Sequence, residues 1–303
     1  MKRLSYRDLK LSDITKYGKG VHMKQFSVQL LDNHKHELAE SPFYDPRFRR
    51  YSWVDITRGE FWTRQDGAKT CFTLGQPIGA AVPLADEDGY LLAAMDGLYV
   101  YKGGKAELLQ PLNSVFKSYW RCNDAKADPA GRLFFGASVA DAHAPEGALF
   151  SCDKGKIKLQ QENTKIANGM AWSSDRKRFY FADSIDRAVY VYDYDYETGD
   201  IAGRRILCKV ENDVPDGMCI DADDNLWIAV WGGYRIEKRN GSTGELLAEI
   251  SVPAKNVTSC CFTEDANTLF ITTSGIDQNG EGDGRLYTCK VDADGVGTDY
   301  AKK

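Results

Sequence analysis

The segment DADDNLWIAVWGG, residues 221–233, joins an acidic turn to a short apolar strand that ends in glycines. The same pattern recurs along the chain as YDPRFRRYSWVDI (44–56), DEDGYLLAAM (86–95), DPAGRLFFGAS (128–138), SSDRKRFYFADS (173–184) and TEDANTLFITTSG (263–275). The turn acids at 45, 88, 128, 175, 223 and 265 are separated by 43, 40, 47, 48 and 42 residues. A period of this length is typical of a propeller blade with its loops.

A second set of strands repeats with the same period and alternates apolar with polar residues. Its members include GLYVYKGG (97–104), GALFSCDKG (147–155) and AVYVYDYD (188–195). Alternation of this kind indicates strands with one buried face that meet at hairpins. We therefore predict an all-β fold, a six-bladed β-propeller with four-stranded antiparallel blades around a central channel. The early strand QFSVQLL, from Gln25, is expected to pair with the last blade and close the ring.

A β-sandwich with coincidental spacing is the alternative fold. Sandwich turn signals come roughly every 8–12 residues and lack a longer period. Residues 23–303 are predicted to form one domain, because no linker-like or low-complexity stretch interrupts them. Residues 1–22 are interpreted as an N-terminal extension, either a flexible arm or an ordered cap on the ring.

Composition excludes several classes of partner. The net charge of −5 gives no basic footprint for nucleic acid. No apolar run approaches the length of a membrane span, and the basic start lacks the apolar core of a secretory signal. The eight cysteines show no CxxC spacing, which favours a reduced, cytoplasmic protein. Oligomeric state stays open.

Three segments place an Asn or Asp at the same phase of the repeat, shortly before the turn acid. They are centred on Asn123, on Asn168 before Gly169, and on Asp216 before Gly217. Equivalent positions of successive blades converge on the axis of a propeller. Taken singly, Asn-Gly and Asp-Gly are ordinary turn signals, so turn chemistry remains an alternative for each residue.

Together with Glu40, the Asn168 and Asp216 side chains would supply two carboxylates and one amide oxygen. Such a hard-oxygen set suits calcium, magnesium or manganese. A metal there could polarise an ester carbonyl and lower the pKa of a bound water, which lactone hydrolysis requires. Arg121 and Asn123 would stand nearby as donors to substrate hydroxyls or to the developing oxyanion.

At these segments the chain resembles the family of gluconolactonases, senescence marker protein (regucalcin) and luciferin-regenerating enzyme. The resemblance runs from about Leu38 to Tyr287 and is carried by several motifs in order, which are PDGMCID (215–221), IANGMAWSSD (166–175), VYVYDYDYETGDIAGRR (189–205), CNDAKADPAGR (122–132) and TSCCF (258–262).

The resemblance implies a six-bladed propeller with one divalent cation (Ca²⁺, Zn²⁺, Mg²⁺ or Mn²⁺) and activity as a lactonase on a small-molecule sugar-type lactone. It implies metal binding by Glu40, Asn168 and Asp216 and substrate binding by Arg121 and Asn123. Asp216 would also be catalytic, since the metal-bound aspartate, or a water it activates, is thought to start attack on the lactone carbonyl.

The chain departs from the family pattern at two glycines. The EGP motif reads Glu40-Ser41-Pro42, and the NDGK motif reads Asn123-Asp124-Ala125-Lys126. The loop at residues 137–147 resembles the family's lid only loosely. Because this loop would border the pocket, the sequence defines the type of reaction better than the particular lactone. Two alternative functions remain. One is hydrolysis of a different cyclic ester at the same site, and the other is non-catalytic binding of a metal or ligand.

The histidines suggest further chemistry. His34 and His36, in NHKHE, are spaced like a metal pair, but without further His or Cys nearby we interpret them as a solvated turn. His143 falls in the predicted lid, and the sequence does not decide whether it takes part in acid–base chemistry.

Overall fold

A computed structural model describes residues 26–139, 146–297 and 299–303. Within these ranges every regular element is a β-strand and no helix occurs, so none could cross a membrane. The predicted N-terminal extension, His143 and most of the predicted lid lie outside the described residues.

Four antiparallel four-stranded sheets follow one another along the chain, each with its strands in sequence order. The first strand of the chain, β1 (Val28–Asp32), belongs to a later sheet. The first four-stranded sheet contains β2 (Ala39–Asp45), β3 (Arg50–Asp55), β4 (Glu60–Gln65) and β5 (Ala68–Thr73). The second contains β6 (Ile78–Pro83), β7 (Tyr90–Ala94), β8 (Gly97–Lys102) and β9 (Lys105–Pro111). The third contains β10 (Arg121–Ala127), β11 (Leu133–Ser138), β12 (Gly147–Asp153) and β13 (Lys156–Thr164). The fourth contains β14 (Ala167–Trp172), β15 (Arg178–Asp183), β16 (Ala188–Tyr194) and β17 (Ile201–Lys209).

The remaining strands form one eight-stranded sheet instead of two separate blades, which differs from the prediction. Its first four strands are β18 (Val214–Ile220), β19 (Asn225–Trp231), β20 (Arg235–Asn240) and β21 (Leu246–Ser251). Its last are β22 (Asn256–Phe262), β23 (Thr268–Ser274), β24 (Leu286–Lys290) and β1, which pairs with β24 as predicted. One residue pair, Trp231 with Asn256, joins the two halves. The architecture is thus a propeller-like arrangement of four-stranded blades.

The first strands of these units form a closed ring. Along the chain β2 contacts β6, and contacts then run in turn through β10, β14, β18 and β22, which contacts β2 again. We call the end of the ring at which these six strands begin the mouth. Among the described residues, the buried apolar side chains fall into six clusters, each between one four-stranded unit and the next. The core is therefore divided among the spaces between blades, and the axis is left to the first strands.

Each of the six first strands carries a β-bulge. The pairing register shifts between Glu40 and Phe43 in β2 and between Cys122 and Ala125 in β10. The bulges of the others lie at Ile78/Ala80, Asn168/Met170, Pro215/Met218 and Val257/Ser259. A bulge turns a side chain out of the regular alternation of a strand. Here the bulges fall near the mouth on all six strands.

Candidate metal and lactone site

Glu40, Asn168 and Asp216 come together at the axis, each from a bulge of a different first strand. Each is about 5% exposed. The carboxyl group of Asp216 interacts with those of Glu40 and Asp124 and with the Asn168 amide. The sequence placed these three residues in one cluster, and the structure brings them into one cluster.

Small residues allow this approach. A Cβ on Gly169 would lie 2.4 Å from the carbonyl oxygen of Asp216, and a Cβ on Gly217 would lie 2.1 Å from Oγ of Ser259. Neither glycine has a positive φ in the structure, so close packing between neighbouring first strands is what requires glycine there. The Asn-Gly and Asp-Gly pairs thus serve strand packing and do not form hairpin turns.

Two oxygen atoms of the cluster are buried without a hydrogen-bond partner, Oδ1 of Asn168 and Oδ1 of Asp216. The Asn168 amide is oriented by Ser184, because its Nδ2 donates to Ser184 Oγ at 3.0 Å. Ser184 Oγ in turn donates to the Pro215 carbonyl at 2.8 Å. This contact fixes the orientation of the amide and leaves its oxygen without a protein partner, available as a ligand.

Burial raises the pKa of both Glu40 and Asp216 well above their ordinary values, and the neighbouring carboxylates raise the pKa of Glu40 further. Buried like charges oppose each other's ionisation unless a positive charge lies between them. Among the described residues, no group of three or more His, Cys, Asp or Glu side chains is placed to hold a metal ion. A metal at this position therefore depends on the Asn168 amide as its third ligand, and this all-oxygen set fits a hard divalent cation.

Arg121 and Asn123 lie beside the cluster on β10. Burial lowers the pKa of the Arg121 guanidinium, while the charges of Glu40 and Asp216 raise it in part. Arg121 Nη1 donates to the Cys122 carbonyl at 3.0 Å, and Asn123 Nδ2 donates to the Ala167 carbonyl at 3.0 Å. These bonds hold both side chains next to the carboxylates.

Asp124 and Lys126 complete the surroundings of the cluster, and sequence reasoning gave them no role. Burial raises the pKa of Asp124 to about 6, against the charge of Lys126, and its carboxylate acts on both Glu40 and Asp216. Lys126 Nζ donates to the Met218 carbonyl at 2.7 Å. The bulge turns Asn123 and Asp124 inward together, which strict alternation along a strand would not predict.

Ser41 shows how the chain accommodates a side chain where the family motif has glycine. Its φ is 50°, in the left-handed region that favours glycine. The backbone N–H of Ser41 donates to Glu40 Oε2 at 2.9 Å, and Ser41 Oγ accepts the Ala81 N–H at 3.1 Å. Ser41 thus contacts the Glu40 carboxylate through its backbone and the next blade through its hydroxyl.

The interpretation of His34 and His36 as a solvated turn is wrong for His36. His36 is 2% exposed and accepts a hydrogen bond from Trp53 Nε1 at 3.2 Å. Its ring lies 4.6 Å from that of His34, and Trp62 packs against both. The pair is part of an aromatic cluster where β1 leads into β2.

Sequence similarity shows the family to which the chain belongs. The family model for the SMP-30/Gluconolactonase/LRE-like region matches residues 38–275. The chain belongs to this family. Human regucalcin is 39% identical over 261 residues, which cover 80% of this chain and 85% of regucalcin.

Two solved structures of the family share the fold. A luciferin-regenerating enzyme superposes with a TM-score of 0.85 at 28% identity, covering 92% of this chain and 100% of that protein. A calcium-binding protein, regucalcin from Agrobacterium tumefaciens, superposes with a TM-score of 0.87 at 23% identity, covering 92% and 98%. At 23% identity, the similarity to the Agrobacterium protein shows a shared fold only.

Proposed function

We propose that this chain is a metal-dependent hydrolase that opens a sugar-type lactone, as a gluconolactonase does. The observation that supports this most is the convergence of Glu40, Asn168 and Asp216, with two buried oxygens that have no protein partner. A structural scaffold gains nothing from buried, mutually repelling carboxylates at its axis, because their desolvation destabilises the fold.

We also propose that the propeller has six blades within a single domain over residues 23–303. The eight-stranded sheet is interpreted as two blades, because only the pair Trp231–Asn256 connects its halves. The closed ring of six first strands, and the six clusters between neighbouring units, support the same number.

Glu40, Asn168 and Asp216 would hold one divalent cation, either calcium or another metal that prefers oxygen ligands. When bound, such a cation polarises the lactone carbonyl and lowers the pKa of a water beside it. The Asp216 carboxylate would orient that water and accept its proton. Because its neighbours are buried, this proton transfer would take place away from bulk solvent.

Arg121 and Asn123 have a binding role in this proposal. The Arg121 guanidinium can donate to the carbonyl oxygen on which negative charge develops, and its burial strengthens that interaction. Asn123 would bind an adjacent hydroxyl, since its Nδ2 donates to Ala167 of β14 and its Oδ1 can accept a hydrogen bond from a substrate hydroxyl. The eight free thiols of the chain are consistent with a reducing, cytoplasmic location.

The proposal is tested by proton release from gluconolactone and related aldonolactones with the metal-supplemented protein. Wild type is expected to open at least one of them, and Asp216→Ala to abolish the reaction. If metal is bound but no lactone of any kind is opened, the proposed function is wrong and a non-catalytic binding role replaces it.

Metal content tests the ligands separately. Elemental analysis after dialysis is expected to show about one divalent ion per chain in wild type and a loss in Glu40→Gln. Glu37→Gln is the matched control, because Glu37 is an exposed acid three residues earlier in the chain. Equal metal content in Glu40→Gln and wild type would show that Glu40 is not a ligand.

A further inference from the structure

The mouth of the site has an apolar wall that includes Trp231 and Ile276. Both are partly buried and pack against the cluster that contains Leu38, Ile56 and Ile78. Leu38 lies two residues before Glu40, and Ile78 is the first residue of β6. Because both residues lie at the mouth ends of β2 and β6, the wall lies at the mouth, on the side of the first two blades.

Trp231 reaches this cluster from a distant part of the fold. It is the last residue of β19 and is paired with Val214, two residues before Asp216. The cluster itself is built from the first two blades, and the strands β22–β24 lie between them and β19. The indole thus reaches from the mouth end of β19 to the apolar cluster of the first two blades.

The backbone of Trp231 is fixed on both sides. It pairs with Val214 in β18 and with Asn256 in β22, and it is the residue that joins the two halves of the eight-stranded sheet. Gly232 follows with a φ of 87°, which favours glycine and turns the chain back at once. With its backbone fixed and its indole packed against the apolar cluster, Trp231 can bind an apolar group with little further loss of conformational entropy.

A second apolar side chain lies at the mouth near Asn168. Ile185 is 40% exposed and directly follows Ser184, whose hydroxyl orients the Asn168 amide. Polar groups for the reacting ring come from the cluster and from Arg121 and Asn123. The site thus combines a polar floor with apolar surfaces around its entrance, as in sites that bind a ligand with distinct polar and apolar parts.

We propose that the substrate of this site is a lactone whose reacting ring is bound as a sugar-type lactone would be and which also carries an apolar alkyl or aryl substituent, with that substituent against Trp231 and Ile276. This inference rests on the proposed lactone hydrolysis and defines its substrate class more closely. A hydroxylated substituent would place hydroxyl groups against the wall, where their hydrogen bonds to water are lost without replacement. An alkyl substituent there releases water from apolar surface on both molecules.

The test compares kcat/KM of the metal-loaded protein for γ-lactones of increasing alkyl chain length with that for glucono-δ-lactone. In wild type, kcat/KM is expected to rise roughly threefold to fourfold for each methylene that the wall covers. Trp231→Ala should flatten this rise and lower kcat/KM for long-chain lactones about tenfold or more. The value for glucono-δ-lactone should change less than about threefold, because a substrate without the chain does not use the wall.

Tyr234→Ala is the matched control, because Tyr234 lies in the same turn and is 53% exposed. It should leave the chain-length dependence unchanged. Ile276→Thr provides a second variant outside the strands, in case Trp231→Ala lowers the Tm of the protein. A flat chain-length dependence in wild type, or an equal loss on all lactones in both wall variants, would overturn the proposal.

A failure of the proposed function would be recognised separately. If the metal-loaded protein opens no lactone, calorimetry with non-hydrolysable alkyl-substituted lactams measures the affinity of the wall for an apolar substituent without the reaction. Binding that tightens with chain length in wild type and weakens in Trp231→Ala would support an apolar ligand. Lactams that do not bind, or that bind both proteins equally, would overturn it.

Discussion

Ser41 is one of the two residues at which the chain lacks a glycine of its family motif. A non-glycine residue in the left-handed region costs about 1–2 kcal/mol. The Ser41 hydroxyl offsets part of this cost, because it accepts the Ala81 N–H in the neighbouring blade. Serine is therefore a compromise at this position between backbone strain and a hydrogen bond that alanine could not make.

Two substitutions separate these contributions. Ser41→Ala keeps the strain and leaves the Ala81 N–H without its partner, so it should lower the free energy of unfolding by about 1–2 kcal/mol. Ser41→Gly loses the same hydrogen bond but removes the strain, so it should be more stable than Ser41→Ala by about 1 kcal/mol. Urea denaturation measures both. A glycine variant less stable than the alanine variant would contradict the left-handed backbone at Ser41.

At the scale of elements, the repeat of acidic turns was enough to predict the strands. Asp88, Asp128, Asp175, Asp223 and Asp265 each lie between the first and second strand of a blade. The pairing of β1 with β24 was also predicted, because an early strand was expected to join the last blade and close the ring. The fusion of the last eight strands did not follow, since one backbone pair at Trp231 carries no sequence signal.

The candidate site was predicted less completely, and the bulges explain why. Glu40, Asn168 and Asp216 could be found because they recur at one phase of the repeat or match a motif. Asp124 could not, because in a regular strand it would point away from Asn123, and only the bulge turns both inward. Ser184 follows a strand and resembles an ordinary turn residue, so its contact with Asn168 requires the fold to be known.

Gly169→Ala tests the role of close packing at a bulge. The added Cβ would lie 2.4 Å from the Asp216 carbonyl oxygen, so β14 and β18 must separate. We expect a loss of about 1–3 kcal/mol in the free energy of unfolding. Lactone opening and metal content should also fall, because Asp216 shifts with its backbone.

Gly297→Ala is the control for this variant, since no atom lies within 4 Å of the position of its Cβ and its φ is not positive. It should match wild type in stability, metal content and rate. A Gly169→Ala protein that matched wild type in all three would show that β14 and β18 do not pack as closely as described.

At the scale of the whole molecule, the C-terminal segment connects separate blades. Gly295 forms a bridge with Asp221, Ala301 forms one with Leu84, and the Lys302 N–H donates to the Gly131 carbonyl at 2.8 Å. The segment thus crosses the end of the ring opposite the mouth. Asp299 lies within it, and burial raises the pKa of its carboxyl from 3.8 to about 6.

This pKa predicts how stability depends on pH. Because the folded protein holds the Asp299 proton more tightly than the unfolded chain, this group favours folding at low pH. Its contribution falls as pH rises from about 4 to about 6 and is lost above that range. Asp299→Asn should remove this dependence and raise the free energy of unfolding at pH 7 by about 1–2 kcal/mol, after discounting for partial exposure.

Denaturation of wild type and Asp299→Asn across this pH range measures the difference. Asp294→Asn is the control, because Asp294 is an exposed acid of the same segment. Parallel stability curves for wild type and Asp299→Asn would contradict a buried, protonated Asp299.

The proposed function requires a divalent cation, held by Glu40, Asn168 and Asp216 at the axis of the propeller, for lactone opening. The rate of lactone opening after chelation, measured while one divalent cation at a time is added back, tests this requirement. Chelation should abolish the reaction, and the reaction should return in wild type as about one ion per chain binds. Asp216→Ala should stay inactive at every metal concentration. A rate that survives complete chelation, or that returns equally in Asp216→Ala, would show that no cation at this site drives the reaction.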